Sequence, residues 1–85
     1  MAIDLLYFAR VREAIGCSAE SVSPPPEVIS IADLVAWLAS RGDGYAQAFA
    51  EPARIRAAIG DRFAEPDQPI AGAREIALFP PVTGG

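Results

Sequence analysis

One segment of this chain is specified as a helix from end to end, and everything around it is cut into pieces too short to be one. Ser30 can cap the first turn, Asp33 stands at N3 as an acidic variant of the capping box, and Ile29 is placed to staple onto Leu34. Ile31, Leu34, Val35 and Leu38 then repeat at i, i+3, i+4 and i+7, with Trp37 on the flank as a core or boundary residue and Gly42 as a natural C′ position. All eight prolines fall outside that segment, in Pro24-Pro25-Pro26, Pro52, Pro66, Pro69 and Pro80-Pro81. A fixed φ and a missing donor exclude each from a helix interior or a central strand. One main helix among short strands predicts an α+β domain with the helix laid across a sheet.

The flanking pieces read as strands. Ala2 to Phe8 alternates, with Ile3, Leu5 and Tyr7 on one face and Asp4, Leu6 and Phe8 on the wetter other. Ala9 to Gly16 predicts a short helical turn or loop ended by Gly16, and Ala19 to Ser23 a weak returning strand stopped by the three prolines. Tyr45 to Ala50 predicts a second short helix. Arg54 to Ile59 and Arg62 to Ala64 pair around a Gly60-Asp61 turn. Glu65 to Ala73 is loop, and Glu75 to Phe79 is the last strand, with Ile76 and Leu78 opposite Ala77 and Phe79. The predicted order is ββαβ(β)β.

Size limits what such a chain can do. With 85 residues there is material for one domain and little for an enclosed catalytic pocket, so a self-contained enzyme is not expected. No apolar run reaches about 18 residues, and Met1-Ala2-Ile3-Asp4 lacks a basic start, which predicts a soluble, cytoplasmic protein and no membrane partner. Cys17 is the only cysteine and histidine is absent. No intramolecular disulfide or Cys-based metal cluster can form, the commonest general base is missing, and Cys17 reads as a packing or loop residue. The net charge is −4, and the seven arginines look scattered, which argues against a nucleic-acid footprint. There is no lysine. Gly42-Asp43-Gly44 lacks the strand before it and the helix pattern after it that a dinucleotide-binding loop requires.

The end of the chain, Phe79-Pro80-Pro81-Val82-Thr83-Gly84-Gly85, has a different physical character. Pro80 and Pro81 end the ladder and favour a stiff, extended path, and two glycines without Cβ atoms pass through a slot too narrow for side chains. Six residues from Pro80 can carry a carboxylate on the order of 20 Å from the domain. The reading is a domain over 1–79 and a projecting tail over 80–85. If Ile3, Leu5, Ile76 and Leu78 face the helix, then Phe8 and Phe79 emerge on the opposite face. Phe63 joins them as a docking patch, unless one or more of the three fills a local pocket.

Strands, one main helix and a projecting Gly-Gly resemble the β-grasp, ubiquitin-like fold, with a mixed sheet of four to five strands. Leu5-Leu6-Tyr7-Phe8-Ala9-Arg10-Val11-Arg12-Glu13 and Glu75 to Gly85, ending in Phe-Pro-Pro-Val-Thr-Gly-Gly, resemble the small, sulfur-carrier subunit of molybdopterin synthase. Gly-Gly alone would equally suit the thiamine-pathway sulfur carrier. Gly60 stands where family members often carry Asn, and Pro24-Pro25-Pro26 is an unusual loop.

The resemblance implies that the chain binds no cofactor itself and is a non-catalytic co-substrate of a sulfurtransferase complex. An ATP-dependent, ubiquitin-activating-like enzyme would adenylate Gly85, and a sulfur-donor protein would then convert it to a thiocarboxylate. Pro80, Pro81, Val82, Thr83 and Gly84 would thread into a large catalytic subunit, in a heterotetramer, where the sulfur passes to cyclic pyranopterin monophosphate. Phe8, Phe63 and Phe79 would contact the partner. A ubiquitin-like modifier or plain binding module is the competing reading from the residues.

Overall fold

The computed structural model describes residues 2–81; Met1 and, with them, the tail positions Val82, Thr83, Gly84 and Gly85 lie outside the described residues. The elements run β1 (Ile3–Tyr7), α1 (Ala9–Ile15), β2 (Ala19–Val22), α2 (Ile31–Ala39), α3 (Asp43–Ala48), a single 3₁₀ turn (Pro52–Arg54), β3 (Arg56–Ile59), β4 (Arg62–Ala64) and β5 (Glu75–Phe79). The five strands form one sheet in the order β2-β1-β5-β3-β4. β1 and β5 are parallel at its centre, and the other pairs are antiparallel. Parallel neighbours need a long crossover, and here α2, α3, β3 and β4 all lie within it. This is the mixed β-grasp sheet with its helix that the sequence predicts.

The core is one-sided. Leu5, Ile76 and Leu78 from the central strands and Leu34 and Leu38 from α2 have no exposed surface at all. Each such side chain contributes about 1.5–3 kcal/mol relative to being left in water. Val11 of α1 and Phe49, just after α3, belong to the same cluster.

Local signals explain most element ends. Ser30 caps α2 as predicted: its hydroxyl accepts from the Asp33 amide at 3.2 Å while the Asp33 carboxylate accepts from the Ser30 amide at 3.3 Å. The same carboxylate also takes the Ile29 amide at 3.1 Å, and these backbone bonds hold the Asp33 pKa below the usual carboxylate range. The stretch 9–16 is a true helix closed by Gly16, whose left-handed φ of 94° suits a residue without Cβ and whose amide reaches the Arg12 carbonyl at 2.8 Å.

Four expectations are corrected. Gly42 does not close α2; the helix stops at Ala39 with Ser40 as its cap, the Ser40 hydroxyl donating to the Trp37 carbonyl at 2.6 Å, and Gly42 instead opens α3. Because of that, the second helix begins at Asp43, earlier than Tyr45, and ends at Ala48. Ile29 does not staple onto Leu34 but stays 63% exposed. Its backbone is tied down from both sides, by Asp33 and by the Ile70 amide at 2.9 Å, which leaves the side chain pointing outward. The front of the predicted strand at Arg54 is 3₁₀ turn instead, because Pro52 favours a helical first position.

Candidate functional site

The sheet face away from the helices is where apolar surface remains. Cross-strand partners share a face, so the pairs Ala19↔Leu6, Leu6↔Ala77, Ala77↔Ala58 and Ala58↔Phe63 draw an apolar row across all five strands. Phe63, at the β4 end, is 84% exposed. Its ring meets that of Phe79 with centroids 6.0 Å apart and planes tilted by 56°, a favourable aromatic geometry. Phe8 continues β1 one residue past the Tyr7↔Leu78 pair, its amide donating to the Leu78 carbonyl at 3.3 Å, and is also exposed. In the other direction the face turns acidic within two residues: Asp4 sits beside Glu75 in the parallel pair and accepts the Ser21 hydroxyl at 2.7 Å.

The apolar end is also where β5 leaves the sheet. Phe79 pairs with Arg56, whose guanidinium donates to the Ala53 and Ile55 carbonyls at 2.9 and 3.3 Å. Pro80 then lines a cleft of about 180 Å³ between α1, α3 and the 3₁₀ turn, with Arg10 and Ala14 on one wall and Gln47, Glu51 and Arg54 on the other. The chain reaches α1 through Ala9, whose φ of 52° is a left-handed conformation costing a residue with a Cβ about 1 kcal/mol. That turn, at the first residue of α1, lets Phe8 stay extended on the sheet while the helix runs on from it.

A second polar constellation lies on the helical side. The Tyr7 and Tyr45 hydroxyls donate to one oxygen of Glu20 at 2.8 and 2.6 Å. Arg41 reaches the other oxygen at 3.4 Å, and its guanidinium lies 5.2 Å from the Trp37 ring centre and 5.1 Å from that of Tyr45. Burial pushes the Glu20 carboxyl up, but the hydroxyls of Tyr45 and Tyr7 and the Arg41 charge outweigh it, so its pKa falls below the ordinary value. Burial and the bond to Glu20 raise the Tyr7 pKa; for Tyr45 the Glu20 bond leads and burial adds. Through these bonds Glu20 ties β1 and β2 to the helices. Cys17, half-buried against the core, packs as expected.

Of the sequence-predicted site residues, the structure brings Phe63 and Phe79 into ring contact and places Phe8 at the same end of the sheet. Pro80 and Pro81 follow directly; Val82, Thr83, Gly84 and Gly85 lie outside the described residues. Sequence reasoning missed the gathering of Arg10, Arg54 and Arg56 at the root of the tail, because they come from three separate elements. It also missed that Leu6, Ala58 and Ala77 join the aromatics. Strand alternation carried that second signal.

Residues 5–85 match the model of the ThiS family. The molybdopterin synthase sulfur carrier subunit of Escherichia coli is 35% identical over 83 residues, covering 98% of this chain and 99% of that protein. The protein of the same name from Mycosarcoma maydis is 32% identical over 90 residues, covering 99% and 94%. Among solved structures, small archaeal modifier protein 1 of Haloferax volcanii superposes with a TM-score of 0.70 over 95% of this chain and 98% of that one, at 21% identity, a likeness of fold.

Proposed function

Since this chain belongs to the ThiS family, we propose that it is the sulfur-carrier subunit of a molybdopterin synthase, a protein co-substrate that works through its C-terminal Gly85. The observation that carries this reading is the position of the Phe-Pro-Pro run. It leaves the central strand at half-buried Phe79, directly beside the exposed Phe63 ring, so a partner that covers the patch receives the tail in the same movement.

A carboxylate with a pKa near about 3.5 is ionised at neutral pH and a poor acyl electrophile. Attack of a Gly85 carboxylate oxygen on the α-phosphorus of ATP releases pyrophosphate and gives an acyl-adenylate. Sulfide-level sulfur from a donor protein then adds to the carbonyl carbon and expels AMP, leaving a thiocarboxylate. In the large subunit that sulfur replaces an oxygen on a carbon of cyclic pyranopterin monophosphate, the C–O bond breaking as the C–S bond forms and the oxygen departing, and water cleaves the acyl–sulfur bond to restore the carboxylate. Two such cycles build the dithiolene. Arginine supplies every side-chain positive charge in the chain, so no lysine amine competes for the activated carbonyl.

Incubation with the activating enzyme, ATP and a sulfur source, followed by intact-mass measurement, tests the proposal. The expected result is the mass gain of one oxygen exchanged for sulfur, confined to the C-terminal peptide and absent when Gly85 is deleted. An unchanged mass would leave a binding module as the better reading, and amide conjugates on other proteins would mark a modifier.

A further inference from the structure

The tail root is flanked by positive charge on a chain that is otherwise acidic. Arg10 and Arg54 stand on facing walls of the cleft that Pro80 lines, Arg56 lies next to Phe79, and Glu51 is the one acid in the group. Elsewhere four arginines face ten acidic residues. Arg10 and Arg54 are exposed, and among the described residues neither makes an ion pair; the only such pair is Arg41 with Glu20. Two guanidinium forks, each shaped to take a carboxylate through paired N–H bonds, are therefore unspent.

We propose that Arg10 and Arg54 form a cationic collar for carboxylates on the rim of the large-subunit slot that receives the tail, an inference that rests on the sulfur-carrier reading. Any protein that swallows the residues beyond Pro81 must bring the edge of its slot against whatever surrounds Pro80, and these two side chains surround it. The collar acts at the root, five residues before Gly85 in the sequence, and is assigned no part in chemistry at the terminus. Charges at the rim of an interface speed association and set its salt dependence more than they slow dissociation. The aromatic patch then holds what the collar has steered.

The test is the association of the full-length chain with the large subunit, followed by stopped flow at low and high salt. We expect R10E/R54E to associate about tenfold more slowly than wild type at low salt, with a flattened salt dependence and a nearly unchanged dissociation rate. R12E/R74E makes the same change in net charge away from the cleft and should differ little from wild type. An R10E/R54E rate equal to wild type would overturn the collar while leaving the sulfur-carrier reading intact. Equal slowing in R12E/R74E would also overturn it, as an effect of overall charge. No complex for any variant, wild type included, would defeat the functional reading and the collar together.

Discussion

β1 and β5 carry apolar side chains on both of their faces, yet the two faces meet opposite fates. Leu5, Ile76 and Leu78 point to the helices and have no exposed surface; on the reverse, Phe8, Phe79 and neighbouring Phe63 keep apolar surface in contact with water. The difference does not lie in the strands. α1, α2 and Phe49 all contribute to a single core on one side, so among the described residues no element covers the other. An apolar face that the described residues leave uncovered is better explained by a partner than by stability. Substitutions on the two faces should therefore separate folding from binding.

The largest expected effect is on the covered face. Leu78→Ala removes a fully buried side chain from the middle of the core and should cost about 2–5 kcal/mol, as such cavities do. Urea denaturation measures it. A loss below about 1 kcal/mol would mean that this face is no more essential to folding than the other.

Next comes the contact that holds the helical layer together. A Cβ at Gly44 would lie 2.6 Å from the Ala14 carbonyl oxygen, which is backbone and cannot swing aside. Gly44→Ala should therefore destabilise by about 1–3 kcal/mol, although in an open helix the same change stabilises by about 1 kcal/mol. Stabilisation in the urea titration would show that α1 and α3 are free to separate.

Glu20 should give a smaller and pH-dependent effect. Its pKa is depressed in the folded state, so its contribution is complete above the unfolded value of about 4.3 and is lost as pH falls through the folded one. Glu20→Gln should cost about 1 kcal/mol at pH 7, and the gap from wild type should close as the pH drops below about 4. A gap that stays constant to pH 3 would mean that the carboxylate charge contributes nothing to the clamp.

The fold was legible because its signals are local. The Ser30–Asp33 capping box, the Ile31–Leu38 repeat and the alternation in β1 and β5 each depend on neighbours within a few residues. What escaped depends on residues brought together from afar. Nothing near Gly44 announces the Ala14 carbonyl, and Glu20 gathers partners from positions 7, 41 and 45. Arg10 and Arg54 look like scattered charges until α1 and the 3₁₀ turn come to line one cleft. Gly42 shows the reverse failure: a local rule suited it to end α2, but the next helix begins so soon that the residue serves as its opening instead.

Phe63→Ala should have the least effect on stability and so divides the two faces most sharply. The ring is 84% exposed, and its main neighbour is the Phe79 ring. Losing it should change the unfolding free energy by no more than about 0.5 kcal/mol, as surface substitutions do. If the outer face docks the large subunit, the same truncation removes an aromatic anchor and should weaken that complex by about 2 kcal/mol, roughly thirtyfold in Kd. Calorimetric titration beside a urea curve for the same protein reads both quantities. Unchanged affinity with unchanged stability would leave this phenylalanine as idle surface and shift the docking patch toward Phe8 and Phe79, whereas a large stability loss would mean that the exposed face helps to hold the sheet together.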